Sequence, residues 1–149
     1  MSSEQAFGGR PAPDKRRSVV VRSACGIAIG HPHEADEYAT GENVSILESW
    51  RNSEDPALSI ARGRLAPGAT SAPHRLRGIE ERYIILSGQG FVGIPGEGSA
   101  DVGPGDIVYF PAGATQTLTN TGETDLLLYA ICTPPFEESR YEEVAEPEG

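Results

Sequence analysis

Seven short runs of strand-like alternation, separated by turn residues, constrain this chain more than any other feature of its sequence. In the first, Val44, Ile46, Glu48 and Trp50 fall on one side of a two-residue period. The others cover residues 58–65, 82–86, 90–94, 106–110, 115–120 and 126–132. Between them stand Asn52-Ser53-Glu54-Asp55-Pro56, Pro67-Gly68, Ser87-Gly88, Pro95-Gly96-Glu97-Gly98, Gly103-Pro104-Gly105 and Asn120-Thr121-Gly122-Glu123. Strands at this spacing with no long helical stretch predict an all-β sandwich or barrel. The 18 Gly and 12 Pro in 149 residues agree, since a helix bundle tolerates few of either.

The pattern divides the chain. Residues 1–17 have almost no apolar content and read as a disordered leader without the charged-then-apolar order of a secretory signal. Residues 18–135 form the domain, with its core at about 44–135; Val19-Val20-Val21 opens it, and 31–43 is a loop with one helical turn. Residues 136–149 carry six Glu against one Arg and read as a solvated acidic tail. The formal net charge of −10 argues against nucleic-acid and anionic-membrane partners. No window holds the run of roughly 18 apolar residues that a spanning helix needs. Two cysteines, Cys25 and Cys132, make no disulfide framework, so a reducing, cytoplasmic setting is expected.

From Gly68 onward, two spaced motifs stand out. The first reads Gly68, five residues, His74-Arg75-Leu76, four residues, Glu81, six residues, Gly88. The second reads Gly105, five residues, Pro111-Ala112-Gly113, two residues, Gln116, three residues, Asn120. Together they resemble the paired motifs of the cupin superfamily, the small jelly-roll β-barrels also called double-stranded β-helices. The likeness covers Gly68 to Asn120, about a third of the chain, and flanking strands extend it to roughly Val44–Pro135. The glycines and the proline belong to turns and carry fold rather than chemistry.

The resemblance implies a metal site built from two His and a Glu of the first motif and a His of the second. Here His74 and Glu81 match, but Leu76 and Gln116 stand where the family has its other two imidazoles. The implied metal ligands are therefore His74, Glu81 and Gln116, with Glu80 as the other carboxylate the spacing allows. One imidazole, one carboxylate and one amide suit Zn, Fe, Mn or Ni about equally. Oxygen-using members of the family rely mostly on three imidazoles, so the resemblance points instead to non-redox Lewis-acid and proton-transfer chemistry on a small organic substrate. That makes an isomerase, cyclase or lyase in which Glu81 or a bound water moves the proton. The alternative is a non-catalytic ligand-binding or accessory member whose metal site has decayed.

Other residues are weighed beside these. Tyr83, two after Glu81, shares its inward face and either acts as an acid, orients a substrate or packs. His31 and His33, in His31-Pro32-His33-Glu34, either complete the metal shell or lie on a surface loop. Cys132 reads as a buried core thiol. Arg62 and Arg64 share one phase, and Arg75, Arg77 and Arg82 oppose His74 and Glu81, so all five are expected to face outward. Such a face either meets a second subunit, making a homodimer, or is solvated.

Overall fold

A computed structural model describes residues 19–22 and 25–145. The expected leader at 1–17 and the last four residues of the acidic tail lie outside the described residues. The strands, in chain order, are β1 (Val19–Arg22), β2 (Ala28–His31), β3 (Tyr38–Ala39), β4 (Ser45–Trp50), β5 (Ser59–Leu65), β6 (His74–Leu76) and β7 (Glu80–Ser87). They continue with β8 (Gly90–Ile94), β9 (Gly98–Val102), β10 (Ile107–Phe110), β11 (Leu118–Asn120), β12 (Leu126–Thr133) and β13 (Tyr141–Glu143). Among the described residues, helix is confined to two single 3-10 turns, Glu34–Asp36 and Glu138–Arg140.

Every strand pair is antiparallel. A six-stranded sheet runs β10-β7-β12-β5-β4-β3, a three-stranded sheet runs β11-β8-β9, and β13 pairs with β6. The all-β jelly-roll expectation is met. Alternation decides what fills the barrel: on β7, Glu81, Tyr83 and Ile85 point inward while Arg82, Ile84 and Leu86 point out. One end is packed solid by Leu65, Tyr83, Ile85, Val92, Val102, Phe110, Leu118, Leu126 and Leu128. At the other end Leu76, Ile79, Cys132 and Tyr141 form a smaller cluster. The polar inward residues lie between them.

Asn120 shows why the second motif ends in that residue. Its amide donates to the carbonyls of Leu65 (2.9 Å) and Thr124 (2.8 Å), and its Oδ1 accepts from Gly122 N (2.9 Å). One side chain thus ties three chain segments together in the interior, where unpaired carbonyls would be costly.

Five elements escaped the alternation pattern, among them β2 and, inside the segment expected as a loop at 31–43, the two-residue β3. β9 has almost no apolar residue and faces solvent along most of its length. β6 is only three residues long. β13 lies in the segment expected as a solvated tail, and this is a correction: residues 137–144 are docked on the barrel. Tyr141 is buried, Val144 N donates to Pro73 O (3.0 Å), and Glu142 pairs with Arg75 (2.7 Å) and Arg77 (2.6 Å). Charge alone misled, because the strand's burial rests on a single aromatic side chain among glutamates.

The outward arginines have partners within the chain. Arg62 takes both oxygens of Glu34 at 2.6 Å and one of Glu37 at 2.8 Å, and Arg64 reaches Glu37 and Asp125. Burial at Glu37 acts against ionisation, but the two guanidiniums win and hold its carboxyl below the ordinary range. Arg82 stacks over the Tyr109 ring at 5.1 Å.

Candidate functional site

A cavity of about 140 Å³ opens through the half of the barrel bounded by β4, β5, β6, β7 and β12. Cavities of this size hold a benzene-sized guest. The expected phase of β4 is realised: Val44, Ile46, Glu48 and Trp50 all line it. His74, Leu76, Glu81 and Tyr83 form the opposite wall with Cys132, and Gln116 is buried behind them at 1% exposure.

His74 and Gln116 are brought together by backbone. They form an isolated bridge in which Gln116 N donates to His74 O (2.7 Å) and His74 N to Gln116 O (3.2 Å). The His74 ring is fixed twice. Its Nδ1 lies 2.9 Å from Ala72 O, and its face stacks on Tyr141 with centroids 5.1 Å apart. A carbonyl can only accept, so Nδ1 carries the proton and Nε2 of the neutral ring presents a lone pair. Burial lowers the imidazole pKa, against opposing contributions from Ala72 and Gln116, so the ring is neutral in the folded protein at neutral pH.

Glu81 is 7% exposed. Its Oε2 accepts from the Cys132 thiol at 3.3 Å, directly across the β7–β12 register, while Oε1 has no hydrogen-bond partner. Burial pushes its carboxyl up to about 7, and the Cys132 thiol and Gln116 amide only partly oppose that. Glu81 therefore exists in both protonation states near neutrality, the condition a proton carrier needs.

Tyr83 donates from its hydroxyl to Gln116 Oε1 at 3.1 Å and packs edge-on against Phe110 at 4.9 Å. Burial raises its phenol well above the ordinary range. It orients the amide and holds its proton. Burial likewise pushes the Cys132 thiol up, leaving it a hydrogen-bond donor and not a nucleophile.

As a donor set, His74, Glu81 and Gln116 offer an imidazole lone pair, an orphaned carboxylate oxygen and an oriented amide oxygen. Leu76, 2% exposed, fills the neighbouring position. Among the described residues no group of three or more His, Cys, Asp and Glu stands close enough to hold a metal. By donor type alone, an imidazole, a carboxylate and an amide suit a divalent ion. His31 ends β2 and His33 follows on an exposed loop; neither lines the cavity, and Glu80 points outward toward Tyr109.

Several wall residues were not legible in the motifs. Tyr141 comes from the docked C-terminal strand, Glu42 from the turn before β4, Trp50 from the end of β4 and Arg51 from the residue after it. The one local signal for Glu42 is the glycine and asparagine that flank it.

Comparison with known proteins follows the geometry. The cupin-domain family profile matches residues 61–132. An oxalate-binding protein of Thermotoga maritima is 34% identical over 88 residues, covering 59% of this chain and 72% of that protein. The crystal structure of a predicted oxalate decarboxylase from Thermotoga maritima superposes with a TM-score of 0.56 at 28% identity, over 61% of this chain and 80% of that one. The nucleoside dehydratase Pac13 from Streptomyces superposes with a TM-score of 0.62 at 16% identity, covering 72% and 82% of the two chains. The last likeness speaks for the fold alone.

Proposed function

Because this chain belongs to the cupin family, we propose that its barrel takes a small organic molecule and moves a proton on it without redox change, as an isomerase, cyclase or lyase does. The observation that carries this reading is Glu81 Oε1: a carboxylate oxygen without a partner, inside a cavity with apolar walls. Burying such an atom costs about 1–3 kcal/mol, a cost that structural packing alone does not recover.

In this reading Glu81 accepts or returns the proton through Oε1 while Cys132 fixes Oε2. His74 stays neutral and offers its Nε2 lone pair to the substrate, and Tyr83 keeps Gln116 turned toward the site. The apolar walls exclude water and sharpen each of these interactions. His74, Glu81 and Gln116 are the residues that would hold a divalent ion; when bound, it supplies Lewis-acid polarisation of a substrate carbonyl. Oxalate, the ligand in the relative's name, suits this cavity poorly. Glu42, Glu48 and Glu81 line it, and its one guanidinium, Arg51, is bonded to Phe136 O.

A second reading, a ligand-binding cupin without turnover, is favoured by the thin ligand set around Leu76. One experiment separates the two. Elemental analysis of protein purified without added metal is expected to find a divalent ion, and Zn, Mn, Fe or Ni at a hundredfold excess over its Kd stabilises the fold by about 2.7 kcal/mol. His74→Ala and Glu81→Ala abolish that gain. Metal-free protein indifferent to all four ions would leave only the second reading.

The same reading takes the chain as a cytoplasmic homodimer; no helix among the described residues is long and apolar enough to cross a membrane. On edge strand β10, Ile107 is 69% and Tyr109 50% exposed, and Ile107, Ile84 and Tyr129 continue as one row across three strands. A second copy of the same strand, laid antiparallel, covers this row and removes the open edge. Light scattering after gel filtration is expected to give a dimer, and Ile107→Glu a monomer. A monomeric wild type would defeat the assignment.

A further inference from the structure

The Glu81 carboxyl does not face its cavity alone. Glu42 lines the same space from the turn between β3 and β4. That turn is built to present it. Gly41 has φ +83° and Asn43 has φ +68°, a conformation uncommon for a residue with a side chain. Here Thr40 Oγ1 accepts from Glu42 N (3.1 Å) and donates to Val44 O (2.8 Å), and Asn43 Nδ2 donates to Thr70 O (3.0 Å). The turn thus sets the direction of the carboxyl.

That carboxyl mirrors Glu81 in its bonding. Oε2 accepts from the Tyr141 hydroxyl, Oε1 is shielded from solvent, and the Glu143 carboxyl of β13 lies within hydrogen-bonding reach of the group. Tyr141 is the same ring that stacks on His74, so the C-terminal strand joins the two polar ends of the cavity. The titratable groups facing Glu42 are Tyr141 and Glu143 from β13, with His74 of β6 behind the tyrosine. None is a cation that would hold Glu42 ionised. Burial, with Glu143 adding to it, raises the Glu42 carboxyl to about 7.

We propose that Glu42 is a second ligand-facing carboxylic acid of the barrel, and that the cavity selects an uncharged molecule with an apolar body and an oxygen function at each end. One oxygen meets Glu81 and His74; the other accepts a hydrogen bond, and during turnover a proton, from Glu42 at the mouth. Two acids on one cavity let a proton leave at one end of the ligand while another arrives at the other. This rests on reading the barrel as a proton-transfer site around Glu81, and the test separates the two.

The probe is dicyclohexylcarbodiimide, an apolar reagent that adds to protonated carboxyls and is retained as an acylurea. Full-length protein at pH 7 is treated, digested and mapped by mass spectrometry, with the exposed loop residues Glu97 and Glu123 reporting background. Adducts are expected on Glu42 and Glu81, the two carboxyls whose Oε1 is buried in the cavity wall, and not on Glu97 or Glu123. Glu42→Gln removes one adduct and leaves the other. Label on Glu81 alone overturns the second acid and leaves the Glu81 reading standing. Label on Glu42 alone overturns the Glu81 reading and keeps this one; label on neither overturns both.

Discussion

Glu81→Gln is expected to make the protein, free of metal, more stable at about pH 8.5, by roughly 2 kcal/mol. The carboxyl has a folded pKa of about 7 against an ordinary value of 4.5. A raised folded pKa means that the folded state binds the proton more tightly than the unfolded chain. The contribution is therefore complete below pH 4.5 and is lost as pH rises through 7, a fall of about 3 kcal/mol for a fully buried group. Glutamine keeps the shape and an acceptor for Cys132, and it has no charge to desolvate.

Other groups titrate in the same range, so the comparison has to be a difference. Glu42 is raised to about 7 and adds a smaller fall of the same sign, discounted because it is only partly buried. His74 has a lowered pKa, so its contribution is present above about 6.5 and is lost as pH falls below that. Wild type is expected to be most stable in the mildly acidic range. Urea unfolding of wild type and Glu81→Gln from pH 4.5 to 8.5 isolates the one carboxyl. A difference that stays flat across that range would show that Glu81 ionises as an exposed glutamate does.

The largest loss of stability is expected at Gly88. Alanine there costs about 3 kcal/mol or more, from two sources that add. The residue has φ +89°, a region where an L side chain meets its own backbone. A Cβ would also stand 2.7 Å from Asp125 O and 2.9 Å from Leu126 Cα. Both are backbone atoms at the start of β12, and Leu126 is wholly buried, so the turn cannot move aside cheaply. Gly96 is the control: φ is +76°, but a Cβ there would meet nothing within 4 Å. Gly96→Ala is expected to lose only about 1 kcal/mol, the conformational part alone. Urea midpoints with an unchanged slope measure both, and equal losses would show that the β12 contact carries no weight.

Much of this was legible in advance, for reasons that differ from residue to residue. Inward residues of β4 and β7 followed from the two-residue period, because a pleated strand allows no other arrangement once one face is buried. Gly88 was readable as a turn residue, since its role depends on backbone conformation, whereas what Asn120 ties together was seen only in the fold. His74, Glu81 and Gln116 were pointed to by the resemblance; the fold sets His74 and Glu81 on the cavity wall and buries Gln116 behind them. Tyr83 was found too, but only the contact to Gln116 Oε1 shows what its hydroxyl does.

Glu42 and Tyr141 could not be read this way. They are 99 positions apart, and neither lies in a motif. Cys132 became a partner of Glu81 only through the pairing of β12 with β7. The sequence by itself determined the strand periods, the turns and the residue types available for chemistry, because these depend on local sterics and on alternation. Only the tertiary structure decided which carboxyls are desolvated, which oxygens lack partners and which strand closes the cavity. Those properties arise where distant segments exclude water together.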